Sequence, residues 1–263
     1  MKKYSFLLIF ICLVYNIKAD SLSYKLILSL PVTTEFFTTD PLGNVYVITQ
    51  NRLIKYDLNG KQVTNNDEKN LGTLISVDAS NPFKVITFYK DYSRVQVLDN
   101  KLVPRVDVNL LEKNLQQPLV VAYGQGEGLW VYDQQDFKLK KFDSQFRIIT
   151  ESASLDQVLA TLPDPDYLLE AGKWLLMNDP ARGILLFDRF GTYSRTIPLK
   201  GLHSFQVIDG KIIYFYNTLH SFDLNTLEEK EITLPSADEK INVRIEGNRI
   251  YILKKGFLEI YET

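Results

Sequence analysis

The chain has 263 residues, 30 basic against 32 acidic, a formal net charge of −2 and 45% hydrophobic residues. This is the composition of a globular chain with ample core material, and it lacks the basic surplus of a nucleic-acid binder. Cys12 is the single cysteine, so the chain holds neither an internal disulfide nor a zinc site built on several thiolates.

Lys2 and Lys3 open the chain, an uncharged stretch follows from Tyr4 to Ile17, and Ala19 precedes Asp20. That is the layout of a secretory signal peptide over residues 1–19. The uncharged stretch falls short of the roughly 20 residues that a membrane-spanning helix needs. Ile9, Phe10 and Ile11 place no small residue before Cys12, against lipid attachment there. Cleavage removes three lysines and leaves 27 basic against 32 acidic residues, a net charge of −5, in a cysteine-free chain. The expected location is the periplasm or cell envelope.

Next, Leu22, Tyr24, Leu26, Leu28 and Leu30 alternate with other residues, the period of a half-buried strand over 22–30. From there a phrase recurs: an apolar residue, two of any kind, a large apolar residue, then Asp. It reads Leu53–Tyr56–Asp57, Val95–Leu98–Asp99, Leu139–Phe142–Asp143, Ile184–Phe187–Asp188 and Leu219–Phe222–Asp223, and last Phe257–Ile260 with Tyr261 in place of Asp. Successive phrase ends lie 42, 44, 45, 35 and 38 positions apart.

Before each phrase stands a turn signal and an apolar run. These are Gly43-Asn44 before Val45–Ile48, Asn81-Pro82 before Phe83–Phe88 and Gly126–Gly128 before Leu129–Tyr132. The later three are Gly172-Lys173 before Trp174–Met177, Gly210-Lys211 before Ile212–Tyr216 and Gly247-Asn248 before Ile250–Leu253. Runs such as Ile184–Phe187, apolar on consecutive positions, belong to strands covered on both faces. A period near forty built from short strands predicts an all-β, six-bladed β-propeller, with four-stranded antiparallel blades of strands a to d forming one domain over 20–263. The sixth repeat ends at Thr263 without a fourth strand, and strand 22–30 is the surplus that completes it. Two inserts, Asp107–Gln117 and Ser152–Leu162, fall between strand d of one blade and strand a of the next. Ser154 and Gln157 have the spacing of a capping box, which predicts a short helix over Leu155–Thr161.

Asp40-Pro41-Leu42-Gly43-Asn44-Val45-Tyr46-Val47 and Leu53-Ile54-Lys55-Tyr56-Asp57-Leu58-Asn59-Gly60 resemble the repeats of NHL-repeat and TolB-like six-bladed propellers. The resemblance covers nearly the whole mature chain. It implies the propeller fold, and a superfamily that includes protein-binding scaffolds, calcium-dependent lactonases and related hydrolases, and a zinc-dependent lyase.

The residues narrow those options. Gly124, Gly126 and Gly128 lead into a strand rather than a helix, so they form a hairpin and not a phosphate loop. His203 and His220 belong to one blade and carry no metal motif. The recurrent Asp57, Asp99, Asp143, Asp188 and Asp223 sit where a turn needs an acceptor. The expected role is non-enzymatic: a scaffold binding a protein or cell-envelope component through its b–c loops, with no cofactor and no nucleic acid. The loop residues expected to make contact are Tyr89, Asp91, Tyr92, Arg94, Asp136, Phe137, Asp179 and Arg182, since Tyr and Arg are favoured at interfaces. The alternative is a calcium-assisted hydrolase or lactonase with Asp164, Asp166 and Glu170 at the central channel.

Overall fold

The computed structural model describes residues 24–263 apart from 35, 127 and 236–238. Residues 1–19, where a signal peptide is expected, and Cys12 lie outside the described residues. Among those described, no helix is long and apolar enough to cross a membrane.

Twenty-four strands form six four-stranded antiparallel sheets arranged as blades. The chain enters at β1 (Lys25–Pro31), then forms blade 1 from β2 (Phe37–Thr39), β3 (Val45–Thr49), β4 (Arg52–Tyr56) and β5 (Gln62–Asn66). Blade 2 is β6 (Leu74–Asp78), β7 (Val85–Tyr89), β8 (Arg94–Leu98) and β9 (Pro104–Asn109). Blade 3 is β10 (Pro118–Gly124), β11 (Gly128–Asp133), β12 (Lys138–Phe142) and β13 (Ile148–Glu151). Blade 4 is β14 (Tyr167–Ala171), β15 (Trp174–Asp179), β16 (Gly183–Asp188) and β17 (Tyr193–Ile197). Blade 5 is β18 (Gln206–Ile208), β19 (Lys211–Tyr216), β20 (Thr218–Asp223) and β21 (Glu229–Ile232). Blade 6 takes β22 (Asn242–Glu246), β23 (Arg249–Lys254) and β24 (Phe257–Glu262), and its outer strand is β1.

β1 runs antiparallel to β24, from Lys25 opposite Glu262 to Pro31 opposite Phe257. A register shift between Leu26 and Leu28 breaks the simple alternation. As a result Leu26 is 48% exposed, while Ile27, Leu28 and Leu30 turn toward the seam between blades 6 and 1. There Leu30, Tyr251, Leu253, Leu258 and Ile260 pack on Phe37, Val45 and Val47. Leu28 also covers Gly60 in the β4–β5 turn. Gly60 has φ +73°, and a Cβ there would lie 2.6 Å from Leu28 Cδ2, so any other residue would strain the turn and push Leu28 aside.

The middle strands are buried on consecutive residues, most fully in β7 and β11. Both faces of each blade are therefore covered by the next blade. The largest such cluster joins blades 3 and 4, with Trp130, Tyr132 and Leu139 packed against Leu175, Met177 and Phe187.

Each of the five repeated Asp residues ties a c–d turn. Asp57 Oδ1 accepts from the N–H groups of Asn59 and Lys61, and Asp99, Asp143 and Asp188 do the same at equivalent positions. Asp223 accepts from Asn225 and Thr226. Two local expectations need correction. The capping box does not form: only a 3-10 turn over Leu155–Gln157 is present, and Ser154 donates instead to the Asp136 carbonyl. The second strand of blade 2 begins at Val85, because Asn81 caps the turn by accepting from Phe83 N–H and leaves that ring 63% exposed.

Two outcomes are expected. Deleting residues 24–31 should abolish the cooperative thermal transition, and adding those residues back as a peptide should restore it; an unchanged melt of the deletion would remove β1 from any closing role. The second concerns acid. Backbone N–H bonds, chiefly from Val103, Arg147 and Thr226, hold Asp99, Asp143 and Asp223 below the ordinary carboxylate range. A depressed folded pKa gives stability that is present above the unfolded value of about 3.9 and lost as pH falls through the folded value. The melting temperature should fall between roughly pH 5 and pH 2, and fall less steeply in D99N/D143N/D223N, which keeps the acceptor oxygens.

Candidate functional site

The b–c and d–a loops emerge on one face of the ring, the a–b and c–d turns on the other. The loop face carries a cleft of about 1010 Å3 between blades 6, 1 and 2. Its walls are largely apolar, with Phe36, Ile48, Leu74, Ile75 and Ile241. Ile75 also borders a second depression of about 500 Å3, walled by Leu119, Lys90, Asp164, Asp166 and Asp179. An apolar wall thus meets an acidic one across the channel mouth.

The eight loop residues marked by the sequence divide sharply. Tyr92 is 58% exposed on this face. Tyr89 is 1% exposed, and its hydroxyl donates to Asn66 Oδ1 at 3.3 Å. Burial pushes its phenol up to about 12, so it is a core residue and not a contact. Asp179, 2% exposed, is likewise internal. It accepts from the N–H groups of Ala181 and Asp164 and from Arg182 Nε at 3.1 Å. Arg182 extends this tie by donating to the carbonyls of Thr161 and Leu162. Together they pin the insert 152–162 onto blade 4.

The others also brace the loops. Asp91 Oδ2 accepts from the Thr73 N–H and hydroxyl, both at 2.9 Å. Arg94 holds Asp107 through Nε at 2.9 Å and Nη2 at 2.7 Å. Asp136 pairs with Lys140 at 2.5 Å. Phe137, at φ +58°, packs on the cluster between blades 3 and 4 while its carbonyl accepts from Leu155 N–H.

The three channel carboxylates are not brought together. Asp164 is exposed on the loop face. Asp166 meets His203 Nδ1 at 2.6 Å and Asn178 Nδ2 at 2.7 Å, and burial holds its carboxyl above the usual range. Glu170 turns toward blade 3, where Lys141 Nζ lies 3.0 Å from it and Gln125 N–H donates at 2.5 Å. Among the described residues no three His, Cys, Asp or Glu side chains are grouped to hold a metal ion. A calcium ion takes about six to eight oxygens, so this donor set does not fit one.

A polar set from five blades lines the channel: the sequence places Asp78, Gln206 and Arg244 on inner strands, but Thr39, Tyr167 and Glu246 were missed. The only local trace of the missed residues is Glu246 spaced by two from Arg244 on a strand.

No family model matches this chain, and no curated protein matches it. Solved structures do. The WD40 domain of Neurospora crassa Pan2 superposes with a TM-score of 0.66 at 10% identity, covering 91% of this chain and 95% of that one. Virginiamycin B lyase from Staphylococcus aureus gives 0.58 at 13% identity, covering 92% and 100%. A streptogramin B lyase gives 0.60 at 13% identity, covering 91% and 87%. At such identities the likeness is one of fold.

The Lys141–Glu170 pair yields a prediction. Glu170 is 3% exposed and Lys141 11%. K141M strands a buried carboxylate and should cost about 3–5 kcal/mol in denaturant unfolding, whereas K141M/E170Q should recover most of that loss. Equal losses in both variants would show that packing over Trp130, not charge, is what Lys141 supplies.

Proposed function

We propose that the protein is an exported binding module of the NHL-repeat or TolB-like kind that holds a protein or cell-envelope component on its loop face, without catalysis. The wide cleft at the channel mouth carries this reading. Its apolar wall, with Ile75 and Ile241 exposed at 39% and 41%, offers area to a partner, and the acidic wall gives that partner an orientation. The braces made by Asp91, Arg94, Asp179 and Arg182 support it indirectly. Loops already fixed by internal bonds lose little freedom on docking. An excess of acidic over basic residues speaks for a partner that is not nucleic acid.

The revised contact set is Tyr92, Ile75, Ile241 and Asp164, with the remaining loop residues acting as supports. The test is cross-linking of the purified protein to native envelope fractions, followed by mass spectrometry and a binding titration of the captured component. I75E and Y92A should each weaken that complex by about tenfold or more. F83A, on the opposite face, should leave it unchanged. Equal weakening by F83A, or none by I75E and Y92A, would move the interface off the loop face.

A further inference from the structure

Toward the a–b turn face the channel holds a separate cavity of about 160 Å3. Arg244 and Glu246 stand two residues apart on β22 and share the side facing blade 1, roughly 6.6 Å apart along the strand. Thr39 Oγ1 holds them apart: it accepts from Arg244 Nε at 3.0 Å and donates to Glu246 Oε1 at 2.6 Å. Gln206 donates to the same Oε1 at 3.0 Å, and its amide also bonds the backbone N–H and carbonyl of Ile245, so its position is fixed.

Two features of this set are unusual. Among the described residues Glu246 Oε2 has no donor, and neither Arg244 nor Glu246 makes an ion pair, although both line the cavity. Burial accordingly holds the Glu246 carboxyl above its usual range. Arg244 and Glu246 are both half-buried, and two opposite charges that share a pocket without direct contact leave room for a ligand that bridges them. Asp78, on the same cavity, is already bonded by the N–H groups of Ser80 and Tyr123, and adds negative potential beside Glu246.

Leu169 and Phe205 form an apolar part of the wall beside Thr38, Ser80 and Tyr167, with the Phe205 ring held edge-on to Tyr167 at 5.1 Å and the Tyr167 hydroxyl bonded to Arg244. A cavity near 150 Å3 is known to take one benzene, so this one suits a ligand of about six to eight heavy atoms. We propose that it binds a free α-amino acid with a small apolar side chain. The carboxylate meets the Arg244 guanidinium, the ammonium meets Glu246 Oε2, and the side chain lies on Phe205 and Leu169. This goes beyond the loop-face reading and does not depend on it.

Calorimetric titration of the purified protein with L-alanine, L-valine, L-proline and L-leucine tests the site. At least one should bind one-to-one with a Kd below about 1 mM. The N-acetyl derivative of that amino acid lacks the ammonium and its amide lacks the carboxylate, so each should bind at least about tenfold more weakly. R244M and E246Q should lose about tenfold or more, while Y92A should bind as the parent does. If R244M melts early, R244K, which keeps the charge but not the planar fork, replaces it and should also bind about tenfold more weakly. The proposal is overturned if none of the four binds, if the derivatives bind as well as the parent, or if the folded Arg244 and Glu246 variants bind as the wild type does. A failure here leaves the cleft on the other face untouched.

Discussion

The pairing of the first strand with the last holds the rest of the molecule in place. Each blade buries its two faces on its neighbours, so a ring opened anywhere exposes two apolar sheet faces at once. No disulfide can seal the ring, because Cys12 is the single cysteine. Closure therefore falls to backbone hydrogen bonds between β1 and β24 and to a modest apolar seam. That seam is smaller than the alternation of apolar residues would suggest, since the register shift after Leu26 leaves that residue in solvent. What compensates is continuity: Leu28 lies on the Gly60 turn of blade 1, so the strand that completes blade 6 also grips the blade beside it.

The same logic of reaching across to the neighbour recurs between blades. Lys55 and Lys141 occupy equivalent positions, one residue before the large apolar residue of the repeated phrase. Each lies 5.2 Å from the ring centre of its cross-strand partner, Tyr46 or Trp130. Each ammonium then contacts the next blade: Lys55 donates to the Asn100 carbonyl of blade 2, and Lys141 meets Glu170 of blade 4. The lysine stem covers apolar surface while its head bonds the adjacent blade. A repeated position thus carries a repeated tie, although the receiving group differs.

What could be read from the chain follows the range of the forces involved. The c–d turns were legible because Asp and its N–H partners lie within a few residues of each other. The blade count was legible because every blade repeats one apolar pattern. The loop contacts were much less so. Tyr89 looks like a loop-tip aromatic, yet it is the last residue of β7, its hydroxyl bonds Asn66 of the neighbouring blade, and Leu102 packs in the same cluster. Asp179 looks like a free surface charge, yet the N–H of Asp164, 15 residues away, bonds it, and so does Arg182 on its own loop. Glu170 stands on an inner strand but points between blades, a choice of strand face that the sequence pattern leaves open. In each case the deciding partner is distant along the chain.

The channel shows how such distant partners divide one axis into two environments. Among the inner strands β6, β10 and β14 lies a small pocket of about 20 Å3, bordered by Ile75, Val77, Asp78, Leu119, Val121 and Asp166. That is room for about one water molecule. The loop-face cleft and the charged set around Arg244 thus lie toward opposite ends of the inner strands. They remain joined mechanically. β6 carries Ile75 at the mouth and Asp78 at the lower cavity, three residues apart on one short strand, so any displacement of that strand is felt at both ends.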